Sequence, residues 1–316
     1  MQFTILRKWI KDDMINWIYL SRYTNNIDFI NNNINKVNWS SLSCNIHAIN
    51  ILEKNIDKIN WYNLSSNKNA ISILKNNIDK IVWSQFSQNM SGLELLKQNI
   101  DKIDWFWFSI YCNDVEFLEK HIDKVHWNCL SSNKYAIKLL EKHIDKIDWR
   151  FLSSNVSAIH ILEKNLDKIN WNFLSSNMNA IHILEKNLNK INYNKLSMNS
   201  NSINLIKKKL YKIDWDTFSY ISPYIDLIIQ NINKLDNWNY LLANEFAIEI
   251  IENNLCKFTE WDMFSLNKNI FTYDYEKIKK SKSNITEGLV MYFLHPNKIQ
   301  KFLENNNNID EYEYFK

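Results

Sequence analysis

Apolar positions recur along this chain with two superposed periods. The longer is 22 residues: Trp17, Trp39, Trp61, Trp83, Trp105, Trp127, Trp149 and Trp171 stand at that interval, Tyr193 holds the register, Trp215 resumes it, and Trp238 and Trp261 follow at 23. The shorter period is helical. In the copy running from Ile147 to Lys168, Trp149 and Leu152 lie three apart and share a face, and Ala158, Ile159, Ile161, Leu162 and Leu166 form a second apolar stripe. Polar residues punctuate these stripes. Asp148 is placed to cap a short first helix, Ser153 and Ser154 favour leaving it, and Asn155 is placed to cap the second. Lys164 suits the negative end of that helix, and Asn165 occupies the place of a left-handed C-terminal cap. A period in the range of roughly 20–50 residues is the mark of stacked repeats. The pattern therefore predicts an all-α fold, an α-solenoid of about twelve 22-residue helix-turn-helix repeats with terminal caps.

The boundaries follow from where the pattern starts and stops. Residues 1–16 are expected to form an N-terminal cap, 17–268 the tandem helical repeats, 269–303 C-terminal capping helices and 304–316 a flexible tail. A small-residue column, Ala48, Ala70, Gly92, Ala136, Ala158, Ala180 and Ser202, predicts close approach of neighbouring helices, and Asp114 interrupts it. A leucine-rich repeat is the structural rival, since its period is similar and Asn133, Asn155 and Asn177 could mimic its asparagine ladder. The helical spacing of Trp149 and Leu152 decides against it. The tryptophans are expected to be the buried spine, so Trp149→Ala would cost about 3–5 kcal/mol as a core truncation.

Composition narrows the chemistry. Two glycines and two prolines in 316 residues argue against hairpin-rich β architecture and against every glycine-rich phosphate loop. A formal charge of +3 is too small to name a partner. Cys44, Cys112, Cys129 and Cys256 form no CxxC pair and read as reduced thiols. The opening residues lack a signal-peptide pattern and no apolar run approaches a membrane span, so a soluble, intracellular protein without a membrane partner is expected.

The phrase Leu152-Ser153-Ser154-Asn155-x-x-Ala158-Ile159-His160-x-Leu162-Glu163-Lys164-Asn165, followed by Asp167-Lys168-Ile169-x-Trp171, resembles the tandem repeats of uncharacterised giant-virus (mimivirus-type) proteins. The closing segment, Tyr273-Asp274-Tyr275 with Leu294-His295-Pro296-x-x-Ile299-x-x-x-Leu303, is similar to theirs as well. The chain departs in lacking their proline after the repeat asparagine, where Lys68, Val156 and Met178 stand, and in carrying Asn305–Asn308 in place of a closing glycine. The resemblance implies host cytoplasm or virion as the location and assigns no activity.

No cofactor or metal is expected. His160 and His182, and likewise His121 and His143, are equivalent positions one repeat apart; stacked helices lie roughly 8–10 Å from one another, too far for adjacent rungs to share zinc. The lysine column from Lys36 through Lys234 reads, over its first two thirds, as a solvated edge balanced by aspartates such as Asp57 through Asp167; later the acids give way to Asn189, Tyr211 and Asn233. The serines are boundary residues, and no nucleophile setting stands out, so an enzyme is not expected. The expected role is a non-catalytic scaffold binding a protein partner, host or viral, through variable exposed positions. One candidate column is Ser72, Glu94, Lys138, His160 and His182; another, following the tryptophans, is Asn128, Arg150 and Asn172. The alternative is a nucleic-acid-binding solenoid using Lys190, Lys207, Lys208, Lys209 and Lys212. A remote alternative is an enzyme site in the irregular copy containing Trp107, Ile110, Tyr111, Cys112 and Asp114.

Overall fold

The computed structural model describes residues 4–276, 278 and 279. Of the closing helices expected over 269–303, the described start differs, since Phe271–Tyr273 is a strand held by pairing with Thr4–Leu6; residues 280–303 and the tail 304–316 lie outside the described residues. The chain divides into two units, one of them running from Lys8 to Ile270. The described part of the other contains a two-stranded antiparallel sheet, Thr4–Leu6 against Phe271–Tyr273, with Thr4 opposite Tyr273 and Leu6 opposite Phe271.

The larger unit is a helical-repeat solenoid. We number its copies 1 to 12 by their opening aromatic residue, from Trp17 to Trp261. A regular copy pairs a short first helix with a short second one, as in Trp149–Ser154 and Ile159–Glu163 of copy 7. Asp148 caps the first, its carboxylate accepting the Arg150 amide at 2.9 Å. His126 stands at the same place in copy 6 and makes no such bond; its ring lies edge-on to Phe106 at 5.9 Å. The expected left-handed caps are absent too, because no non-glycine residue among those described has positive φ. Asn165 instead donates its side-chain amide to the Ile161 carbonyl four residues back, at 2.8 Å. His121 imitates this in copy 5, its Nδ1 lying 2.9 Å from the Phe117 carbonyl.

The innermost packing column is the residue three after the tryptophan. Leu42, Leu64, Phe86, Phe108, Leu130, Leu152 and Leu174 are all fully buried. Trp149 and its equivalents in copies 1 to 8 are partly exposed, and in seven of these eight copies the lysine nineteen residues later is laid over the indole, while in copy 6 His143 packs on Trp127 at 5.0 Å. The Nζ of Lys58 is 4.7 Å from the Trp39 ring, that of Lys168 4.9 Å from Trp149, and that of Lys190 4.6 Å from Trp171. The lysine column is thus a cation–π column, which explains its register with the aromatics. Trp149→Ala is accordingly expected to cost about 3 kcal/mol, the low end of the core-truncation range, since part of the ring stays in contact with water. Chemical denaturation of the variant beside Lys168→Met, which keeps the aliphatic cover, separates packing from cation–π.

Two ladders of buried polar groups join the copies. Ser153, fully buried, donates to the Trp149 carbonyl at 2.6 Å and accepts the amide of Asn170, the next copy's cap residue, at 2.9 Å. The amide-to-serine rung recurs from Ser21–Asn38 through Ser175–Asn192. Asn155 was expected as a helix cap; it is a bridge. Its Nδ2 donates to the carbonyls of Ser131 and Asn133 in the preceding copy, both at 3.1 Å, and its Oδ1 accepts from the Ser157 amide at 3.0 Å. An asparagine ladder therefore exists inside a helical fold, because buried carbonyls at the chain reversals need donors whatever elements flank them.

The ladder is interrupted in copies 1, 5 and 10, where Tyr23, Tyr111 and Ile221 take the asparagine's place. In these copies the first helix runs longer, over Trp17–Tyr23, Trp105–Tyr111 and Trp215–Ile221. The second helix then starts from a different cap, Asn26 in copy 1 and Asp114 in copy 5. The irregular copy 5 is thus one of three built alike.

The last copy returns to the first. Ser265 of copy 12 accepts the Asn16 amide at 2.8 Å, the same rung that joins Ser21 to Asn38, and Asn16 Nδ2 donates to Asp262 at 3.0 Å. Trp9 packs on Phe264 with ring centroids 5.6 Å apart. The solenoid closes on itself, so within this unit there is no open first end for residues 8–16 to cover.

Candidate functional site

The positions just after the first helix converge on one face. A cavity of about 680 Å³ is lined by the same positions of copies 2 to 7, among them Ser66, Lys68, Met90, Tyr111, Lys134 and Tyr135. A second cavity, also about 680 Å³, is lined by the corresponding region of copies 1, 10, 11 and 12, including Tyr23, Tyr220, Ile221, Glu245, Phe246 and Lys268. A single cavity touching six consecutive copies requires that these positions lie on the concave side of the array. That assigns the inner face, which is built by the turn between the helices.

Neither candidate column from the sequence lines these cavities. Ser72, Glu94, Lys138, His160 and His182 are exposed on the second helices. Part of this column ties copies together: His160 Nε2 lies 2.8 Å from Glu141 and His182 Nε2 2.8 Å from Glu163. Glu94 pairs with Lys97 at 3.1 Å. Asn128, Arg150 and Asn172 are exposed on the first helices. Arg150 forks onto Asp148 at 3.0 and 3.3 Å, and Asn172 accepts from Asn192 Nδ2 at 2.9 Å.

The basic candidates are dispersed in role. Lys190 covers Trp171, and Lys212 lies 5.3 Å from the Tyr193 ring. Lys207 and Lys208 are exposed at the end of the helix Ile203–Lys208, and Lys209 is half-buried. Lys207 and Asp226 both line a smaller cleft of about 330 Å³.

Copy 5 holds the most perturbed groups. Asp114 caps the helix Val115–Lys120 and accepts from Lys97 at 2.8 Å, and the ammonium holds its carboxyl below the usual aspartate range. Burial pushes the Cys112 thiol up to about 12. Such a thiol stays protonated at neutral pH and packs as a small apolar group, with Sγ 3.5 Å from the Asp114 carbonyl. Arg150 likewise holds the Asp148 carboxyl down. Both aspartates have folded values below their unfolded ones, so the stability they confer is complete above about pH 4 and is lost as pH falls through the depressed folded values. Acid titration of thermal stability should show a shallower decline for Asp114→Asn with Asp148→Asn than for the parent chain. Among the described residues no group of three or more His, Cys, Asp or Glu side chains is arranged to hold a metal ion. No described helix is long and apolar enough to cross a membrane.

The sequence missed the cavity-lining positions, although a signal was present. Ile46, Lys68, Met90, Lys134 and Val156 follow the recurrent asparagine and share no chemistry, which is how a freely varied surface beside a fixed rung looks. Comparison with protein-family models, with curated proteins and with solved structures finds no match to this chain.

Proposed function

We propose that the chain is a non-catalytic helical-repeat scaffold that binds a protein partner on the face formed by its first helices. The observation that carries this reading is a set of exposed aromatics at the two variable positions after each opening tryptophan. Tyr62, Phe106, Phe151, Phe173 and Tyr240 are all exposed there, interleaved with Asn128, Arg150 and Asn172. Phe151 and Phe173, in successive copies, lie 6.3 Å apart and extend the apolar area from one copy to the next. Aromatic and arginine side chains surrounded by amides are what protein interfaces use as anchors. A nucleic-acid track has less support, since most of the lysine column is spent on aromatic faces.

Proximity labelling and quantitative pull-down from producing cells, with wild type beside Phe151→Ser/Phe173→Ser, test the reading. A specific protein retained by wild type and lost by the variant at unchanged thermal stability is the expected result. Equal retention by both would overturn it. So would salt-dependent retention on DNA or RNA that vanishes when Lys207, Lys208 and Lys209 are neutralised.

A further inference from the structure

One of the two ligand-sized cavities of the concave face spans the ladder interruption at copy 5. In copy 5 the bridging asparagine is replaced by Tyr111, whose side chain is exposed on the cavity wall, as is that of Tyr135. The charge of the wall is one-sided. Lys68 and Lys134 line it, no carboxylate does, and the remaining polar lining is neutral: serines, asparagines and Gln88. Lys134 Nζ lies 4.9 Å from the Tyr135 ring, so a cation and an aromatic face are presented together.

A second observation falls at the same place. Asn89 lines this cavity and is 2% exposed. Its Nδ2 donates to the carbonyls of Ser65 and Asn67 at 3.1 and 3.0 Å, as in every rung. Its Oδ1, however, has no hydrogen-bond partner. The equivalent oxygens of Asn67, Asn133 and Asn155 accept the amide two residues on. Copy 4 forms a 3-10 turn, Met90–Gly92, at this point instead. A buried amide oxygen without a donor costs about 1–3 kcal/mol, so this rung carries a deficit that the regular rungs do not.

We propose that this cavity is a binding site for a small dianionic phosphomonoester carrying an aromatic ring, of the size of a nucleoside monophosphate. Lys68 and Lys134 give the wall the positive charge that a phosphate needs, Tyr111 offers a face for the ring, and the serines and amides take the hydroxyls. The volume of about 680 Å³ lies within the range of small-molecule sites.

Isothermal titration and thermal shift of the full chain with adenosine, guanosine and uridine monophosphates test the site, with adenosine and inorganic phosphate as controls. At least one monophosphate should bind, and Lys68→Gln and Lys134→Gln should each weaken it about tenfold, the value of one charge-assisted hydrogen bond. Tyr111→Ala should weaken it by a similar factor through lost stacking. Both lysines and Tyr111 are exposed, so these variants should melt with the parent chain in the absence of ligand. Absence of binding by all three monophosphates, binding unaffected by the lysine changes, or inorganic phosphate binding as tightly as the nucleotides would each overturn the proposal. None of these results bears on the first-helix face, which the Phe151/Phe173 variant tests separately.

Discussion

Asn155→Ala is expected to destabilise the protein by about 3–5 kcal/mol, the largest effect of any single substitution considered, because it strands several buried groups at once. The side chain is 3% exposed and makes three hydrogen bonds, two to carbonyls of copy 6 and one from the amide of Ser157. Alanine removes all three while water remains excluded, so each orphaned group keeps its desolvation cost. Asn155→Asp is predicted to be nearly as harmful, since a carboxylate cannot donate to the two carbonyls. The exposed Asn128→Ala, in the neighbouring copy, should change stability by no more than about 0.5 kcal/mol. Urea denaturation of the three variants checks this ordering. Equal effects at Asn155 and Asn128 would remove the ladder from the list of forces holding the copies together.

The second large effect is expected at Gly92, and it carries its own rescue. Regular copies match a leucine in the innermost column with an alanine six residues later, as Leu64 with Ala70 and Leu152 with Ala158. Copy 4 has Phe86 with Gly92. The glycine backbone is ordinary, at φ −97°, close to the −93° of Ala70. Space is what demands it: a Cβ at Gly92 would fall 2.1 Å from Cζ and 2.6 Å from Cε2 of Phe86, which is itself fully buried. Gly92→Ala should therefore cost about 3 kcal/mol, at the upper end of overpacking penalties. Phe86→Leu alone opens a cavity and costs about 1–3 kcal/mol. The double variant restores the leucine–alanine pair of the other copies, so it should recover most of both losses. Additive losses in the double-mutant cycle would contradict this account.

The copies themselves were legible because helical spacing and the 22-residue register describe the same units twice. What the sequence could not show is which polar residues are buried. Asn155 and Ser153 have the composition of boundary residues and the environment of core residues, a difference created by the neighbouring copy. The tryptophans mislead in the opposite sense. Their size and register suggest a spine, yet Leu152 is fully buried while Trp149 is half-covered by Lys168. Closure was invisible for a related reason. The ladder contacts between successive copies span separations of 17 to 25 residues, whereas Asn16 and Ser265 are 249 residues apart and no local pattern links them. The inner-face residues were passed over because variability beside a fixed asparagine resembles a solvated loop until the array is curved.

Closure of the array is the claim on which the concave face and both cavities depend. Ile18, Ser40 and Asp262 occupy the same position, one after the opening tryptophan, in copies 1, 2 and 12. Spin labels at Ile18 and Asp262, in a chain whose four native cysteines are replaced, should give by double electron–electron resonance the same short distance as labels at Ile18 and Ser40. A broad or much longer Ile18–Asp262 distance, with the Ile18–Ser40 distance short, would mean that the array is open and would contradict the account.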